Sequence, residues 1–197
     1  MTTCWSCGAD QRSSLTCTEC GKVQPVGTKS FFDLLGLTPR LSQSRGDIDR
    51  AFREASKLVH PDRLDGAASA LERRLSVEMT AQLNEAYRTL RDAQSRAEYL
   101  LSLQGVEVGG EMARTKDPAL LMDMMEQQEA VDAADTDEAL EAQRNQMIAR
   151  RTALMDGLER YFDHGEGERD KAAQTLDELR YLRRLIERID TKLEEMM

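Results

Sequence analysis

From Phe31 to Met196, apolar residues return at three- and four-residue intervals, interrupted by short stretches bearing Gly or Pro. That period is the mark of amphipathic helices, so the chain reads as all-α. Its 197 residues allow one large domain or two small ones. Apolar residues reach 40% and aromatics only 5%, enough for modest cores. No apolar run approaches the ~20 residues that a membrane helix needs, so no membrane is expected as partner. Asp and Glu total 36 against 27 Lys and Arg, a net charge of −9. An acidic chain repels phosphate backbones, which argues against nucleic acid as a partner. The start, Met1 to Trp5, has neither a charged n-region nor an apolar h-region, and no Arg-rich amphipathic run comes after it. The expectation is a soluble cytoplasmic protein, or one of the mitochondrial matrix in a eukaryotic cell.

Charge and punctuation divide the chain into three units. Residues 1–29 hold all four Cys. Residues 30–104 are neutral, with 11 basic and 11 acidic side chains. Residues 105–197 open on Gly105 to Gly110 and Pro118, and residues 106–164 alone sum to −8.

In the first unit the pattern is Cys4-x2-Cys7-Gly8, then Cys17-x2-Cys20-Gly21. Two CxxC pairs supply four thiolates, the set that suits tetrahedral Zn²⁺. Gly after each pair suits a tight knuckle whose backbone N–H groups turn toward sulfur. Trp5, Leu15 and Val23 are its sizeable apolar residues, so the module folds on metal or not at all. Two disulfides are the weaker alternative in a reducing compartment. A redox CxxC and an iron–sulfur cluster remain alternatives. Four Cys leave no open coordination position, so the Zn²⁺ is expected to be structural. Little apolar surface is left for the module to share with the rest of the chain.

In the second unit, Ser30 can cap a short helix over Phe31 to Leu35, stopped by Gly36. Residues 46–59 form the next, with Ile48, Ala51, Phe52, Ala55 and Val59 on one side. Arg50, Arg53 and Lys57 share a different face. His60-Pro61-Asp62 ends this helix, because Pro61 cannot continue it. A long helix over roughly 68–91 carries Leu71, Leu75, Met79, Leu83, Ala86, Tyr87 and Leu90. A last one covers about 93–103. His60 and Asp62 invite an acid/base reading, but no further catalytic group stands at a definable spacing.

Three helices fill the third unit: one started by Asp117-Pro118, with Pro118 suited to an early helical position, and running to about Ala133, then about 136–163 and 167–196. Leu179, Leu182, Ile186, Ile189, Leu193 and Met196 make one stripe, as in a three-helix antiparallel bundle. The first of these helices is apolar on two sides. Leu120, Met124 and Val131 lie on one; Leu121, Met122 and Met125 lie on another, near Glu126 and Glu129. Both sets can be buried, or the second can form an exposed patch of the kind that marks a partner site. Tyr181 lies about 100° from Leu182, at the edge of the core stripe, where it can share that exposed face.

Three motifs in the second unit look like the marks of a J domain: Phe31-Phe32-Asp33-Leu34-Leu35-Gly36-Leu37, His60-Pro61-Asp62-Arg63 and Asn84-Glu85-Ala86-Tyr87-Arg88-Thr89-Leu90. Arg96-Ala97-Glu98-Tyr99-Leu100-Leu101 narrows the resemblance to the HscB family, J-protein co-chaperones of iron–sulfur cluster biogenesis. The resemblance covers about residue 30 to the end. It implies that Arg50, Arg53, Lys57, His60, Pro61, Asp62 and Arg63 bind a DnaK- or HscA-type ATPase chaperone and stimulate its hydrolysis of ATP. It also implies that Leu121, Met122, Met125, Glu126, Glu129 and Tyr181 bind the IscU-like cluster scaffold. Tyr181 stands where the family often has Phe, and Gln128 where a basic residue is common. A Cys-rich N-terminal module occurs in some relatives.

The resulting expectation is a non-enzymatic, monomeric co-chaperone: a zinc-knuckle module, a J domain and a three-helix bundle that presents the scaffold. The main alternative is a general J-domain chaperone for unfolded clients. One discrete Met-rich face argues against that, since broad client binding calls for larger apolar surface.

Overall fold

In the computed structural model, residues 2–11, 14–64, 68–106 and 118–196 are described. Seven α-helices are found among them. The chain divides into two compact units, Met1–Arg96 and Ala97–Met197.

The first unit begins with a two-stranded antiparallel ribbon, β1 (Thr2–Thr3) and β2 (Asp10–Gln11), which pairs Thr2 with Gln11. Strands this short carry no alternation in sequence. Three helices come next: α1 (Phe31–Leu35), α2 (Arg45–Val59) and α3 (Ala70–Arg91), with a 3₁₀ turn over Pro61–Arg63 between the last two. Each helix start is chemically marked. Ser30 and Asp33 form a capping box on α1, Ser44 caps α2, and Ser69 with Glu72 box α3. Gly36 ends α1 at φ 63°, a left-handed conformation that favours Gly.

α1 and α2 pack on α3, and Phe32, Leu34, Ile48, Met79, Leu83 and Leu90 are fully buried. Phe52 is half-buried and stacks on Tyr87 at 4.2 Å between centroids. Leu71, expected among the apolar positions of the long helix, is exposed. The helix starts at Ala70, not 68, and Leu71 falls in its first turn, off the packed face. Arg96 is a buried polar anchor: Nε and Nη2 donate to the Leu41 carbonyl at 3.0 and 2.7 Å, and Nη1 donates to the Leu90 carbonyl.

The border between units falls inside α4 (Ala93–Leu103), ahead of the Gly105 boundary read from the sequence. The end of α4 belongs with the later helices, because Glu98 pairs with Arg180 at 2.8 Å and Gln104 accepts from the Tyr161 hydroxyl at 2.7 Å. Those helices are α5 (Pro118–Ala133), α6 (Asp137–His164) and α7 (Arg169–Met196). α6 and α5 both pack on α7. Val131, Leu140, Met147, Leu182, Leu185, Ile186 and Ile189 form the core, with Leu193 packed against it. Met196, placed on the same stripe from the sequence, is exposed at the helix end. Gly105 to Gly110 and the expected start at Asp117 lie largely outside the described residues. No described helix is long and apolar enough to cross a membrane.

Candidate metal centre and docking surfaces

The four Cys converge. Their sulfurs all lie within 4.8 Å of one another, with Cys4–Cys20 and Cys7–Cys17 at 3.7 Å. A disulfide needs about 2.05 Å; the thiols are free. Gly8 and Gly21, at φ 73° and 72°, turn each knuckle back so that their N–H groups bond the Cys4 and Cys17 carbonyls at 3.0 and 2.9 Å. Backbone N–H groups of Ser6 and Glu19 donate to Cys4 and Cys17 Sγ at 3.4 Å. Side-chain amides add to this: Gln24 donates to Cys4 Sγ at 3.4 Å and Gln11 to Cys17 Sγ at 3.1 Å.

Such donors favour thiolate over thiol. The Cys7 N–H draws the Cys4 thiol down to about 6, against burial. Cys7 responds oppositely. The Ala9 N–H lowers it, but burial and the neighbouring thiols outweigh that and push it up to about 12. Four sulfurs this close cannot all be anionic without a cation among them, and the donor set fits a tetrahedral ion. Gln11 and Gln24 carried no signal in the sequence, because nothing in their spacing relates them to the Cys.

The second site is the loop after α2. His60 has extended backbone and caps the 3₁₀ turn: its Nδ1 accepts the Asp62 N–H at 3.3 Å. The imidazole is about half exposed and Asp62 almost fully so, with side-chain values of 51% and 89%. Arg63 Nη1 donates to the Lys57 carbonyl at 2.6 Å, satisfying one of the open carbonyls at the α2 C-terminus. Ser76 Oγ fixes the same helix end from α3 by donating to the Val59 carbonyl. Arg50, Arg53 and Lys57 are all exposed, and Arg50 pairs with Asp47. The structure thus brings together a basic helix face and an exposed His-Pro-Asp turn. His60 Nδ1 also lies 3.5 Å from the Asp62 carboxylate, its neighbour in the same turn.

The third site is α5. Met124 and Val131 are buried, whereas Leu121, Met122 and Met125 are 43%, 67% and 63% exposed. Glu126 and Glu129 are on the same helix, Glu126 exposed beside Met125. Tyr181 is half-buried against the bundle core, and its hydroxyl donates to the Met124 carbonyl. It therefore props α5 from beneath, whatever part of its ring reaches the surface. Two basic residues that gave no signal in the sequence hold α5 in place. Arg150 bridges Asp123 and Glu178, both at 2.5 Å. The Lys192 ammonium donates to the Val131, Asp132 and Ala134 carbonyls at 3.1, 3.0 and 2.7 Å, capping the helix C-terminus.

Comparison with known proteins covers both units. Residues 30–99 match the DnaJ domain model, and residues 116–190 match the HSCB C-terminal oligomerisation domain model. A co-chaperone protein HscB homolog of Burkholderia multivorans is 34% identical over 170 residues, 85% of this chain and 95% of the relative. An iron-sulfur cluster co-chaperone protein HscB homolog of Arabidopsis thaliana is 32% identical over 191 residues, 96% of this chain and 74% of the relative. Among solved structures, human co-chaperone protein HscB superposes with a TM-score of 0.85 at 25% identity, covering 97% of this chain and 98% of its own. The chaperone HscB from Vibrio cholerae gives 0.73 at 30% identity, over 86% and 100%.

Proposed function

The chain belongs to the HscB family, co-chaperones of iron–sulfur cluster biogenesis with a J domain, and we propose that it joins an Hsp70-type ATPase to an IscU-like cluster scaffold. The first unit engages the ATPase through Arg50, Arg53, Lys57 and the His60-Pro61-Asp62-Arg63 turn, and this contact stimulates ATP hydrolysis in the partner. The second unit holds the scaffold on Leu121, Met122 and Met125, with Glu126 and Glu129 at the edge and Tyr181 behind. The chain itself performs no chemistry. The observation that carries this reading is the exposed His60–Asp62 turn beside an exposed basic face. A basic face of this kind raises the association rate with an acidic partner.

The test is His60→Gln in the full chain. His60 is half exposed and makes one long bond to the backbone, so the variant is expected to fold and melt as the wild type does. Stimulation of a purified Hsp70-type ATPase is expected to vanish. Undiminished stimulation by the folded variant would overturn the assignment. We also propose that Cys4, Cys7, Cys17 and Cys20 hold a structural Zn²⁺, supported by four convergent sulfurs with N–H and amide donors around them.

A further inference from the structure

The Cys module is not an appendage beside the J region. A cleft of about 410 Å³ lies between its second knuckle and the His60 turn. Lys22 and Val23 line one wall, and Leu58, His60, Arg63 and Glu72 line the other. Lys22 stands directly after Cys20-Gly21, and its carbonyl accepts the Cys17 N–H at 2.9 Å, so the knuckle itself sets where Lys22 stands. Its ammonium lies 5.4 Å from the Trp5 ring centroid and 3.1 Å from Glu72 Oε1. Glu72 is already engaged at the head of α3, where its carboxylate accepts the Ser69 N–H at 3.0 Å. An ammonium has three donors, and the Lys22 side chain is about one-third exposed, so it retains capacity for a second carboxylate. Leu58 is exposed and gives the cleft an apolar flank.

Two features indicate the occupant. Among the described lining residues, two cations, Lys22 and Arg63, outnumber the one carboxylate, Glu72, so the cleft favours an acidic ligand. It also shares His60 and Arg63 with the turn assigned to the ATPase contact. We propose that the second Cys knuckle is part of the chaperone-docking surface, and that the acidic segment of the ATPase partner that engages the His60 turn also lies in this cleft against Lys22. The inference rests on the assignment of the His60 turn to ATPase docking, and it extends that surface to a module outside the J domain.

The test titrates the full chain against a purified Hsp70-type ATPase and reads the half-saturating concentration for stimulation, at low and high salt. Lys22→Gln is expected to raise that concentration about fivefold with maximal stimulation unchanged. The effect should shrink at high salt, as for a rim charge. Glu72→Gln leaves the Lys22 charge in place and should not weaken docking. The double variant Lys22→Gln/Glu72→Gln should behave as Lys22→Gln alone. Equal weakening by Lys22→Gln and Glu72→Gln would mean that the ion pair only props the fold, and would overturn the inference. Wild-type titration by Lys22→Gln would overturn it too. His60→Gln in the same assay separates the two levels. If it still stimulates, the reading of the turn falls; if it abolishes stimulation while Lys22→Gln is silent, only the role of the knuckle falls. Metal content, measured for each variant, is expected to stay at the wild-type level, since Lys22 and Glu72 are not ligands.

Discussion

Cys17 is the thiol most built into its surroundings. It is buried, and its sulfur receives the Gln11 amide and the N–H groups of Glu19 and Cys20. Cys17→Ser removes a ligand without removing bulk, and the module has almost no core to fall back on. Metal release is therefore expected to unfold the module, because binding and folding free energy are one quantity in such pieces. The helices of the first unit should survive. Their core is drawn from α1, α2 and α3, and the module is tied to α3 through the partly exposed Lys22–Glu72 pair, a kind of contact that adds little stability. Zn²⁺ content should fall from one ion per chain to none, while the helical melting transition moves by only a few degrees. Retained metal, or collapse of the whole unit, would contradict this. The ligands were legible in sequence because they are neighbours along the chain. Gln24 and Arg96 were not. Arg96 sits in a motif that marks the family, yet its burial depends on the carbonyls of Leu41 and Leu90, and no local pattern shows which carbonyls a guanidinium will meet.

At the scale of elements, apolar period and Gly/Pro punctuation placed the helices to within about two residues, since both signals are local; a cap was read only at Ser30, and those at Ser44, Ser69 and Thr136 came from the structure. The two-residue strands escaped because they are too short to alternate. α5 was the ambiguous element: apolar residues on two sides leave no clean amphipathic stripe, and only packing decided that Met124 and Val131 go in while Leu121, Met122 and Met125 stay out. That division makes binding and stability separable. Replacing Leu121, Met122 and Met125 by Ala should cost little stability, as exposed substitutions do, within about 0.5 kcal/mol each. If the three act as interface anchors at about 2 kcal/mol each, even strong non-additivity leaves a loss of at least ~100-fold in scaffold affinity. Tyr181 belongs to a different class, because its hydroxyl holds the α5 backbone and its ring packs on the core. Tyr181→Phe should lower stability by about 1 kcal/mol with a much smaller effect on binding than the triple variant. Calorimetric titration with the purified scaffold, paired with thermal melts, checks both. An unfolded triple variant would mean the patch is core, and native affinity in a folded one would put the scaffold elsewhere.

At the scale of the molecule, the two surfaces lie on separate compact units of one continuous chain. If the protein works by bringing scaffold and ATPase together, that continuity is itself functional. A tethered partner reaches an effective concentration in the millimolar range for a short connection, far above what free encounter supplies in dilute solution. The arithmetic gives a test that neither unit alone can give. On the proposed assignment, His60→Gln loses the ATPase contact and keeps the scaffold patch, while the triple Ala variant on α5 loses the patch and keeps the His60 turn. Mixed in equal amounts at sub-micromolar concentration, they provide both activities in the tube but never on one chain. Transfer of scaffold to an immobilised Hsp70-type ATPase in the presence of ATP is expected to stay at the background level of either variant, while wild-type protein at half the total concentration restores it. Stimulation of ATP hydrolysis without scaffold should remain normal in the mixture, because the triple variant supplies it, and this control shows that the ATPase contact is intact. Recovery of transfer by the mixture would mean that the two surfaces act on separate molecules, and the bridging role would have to be abandoned in favour of two independent binding events.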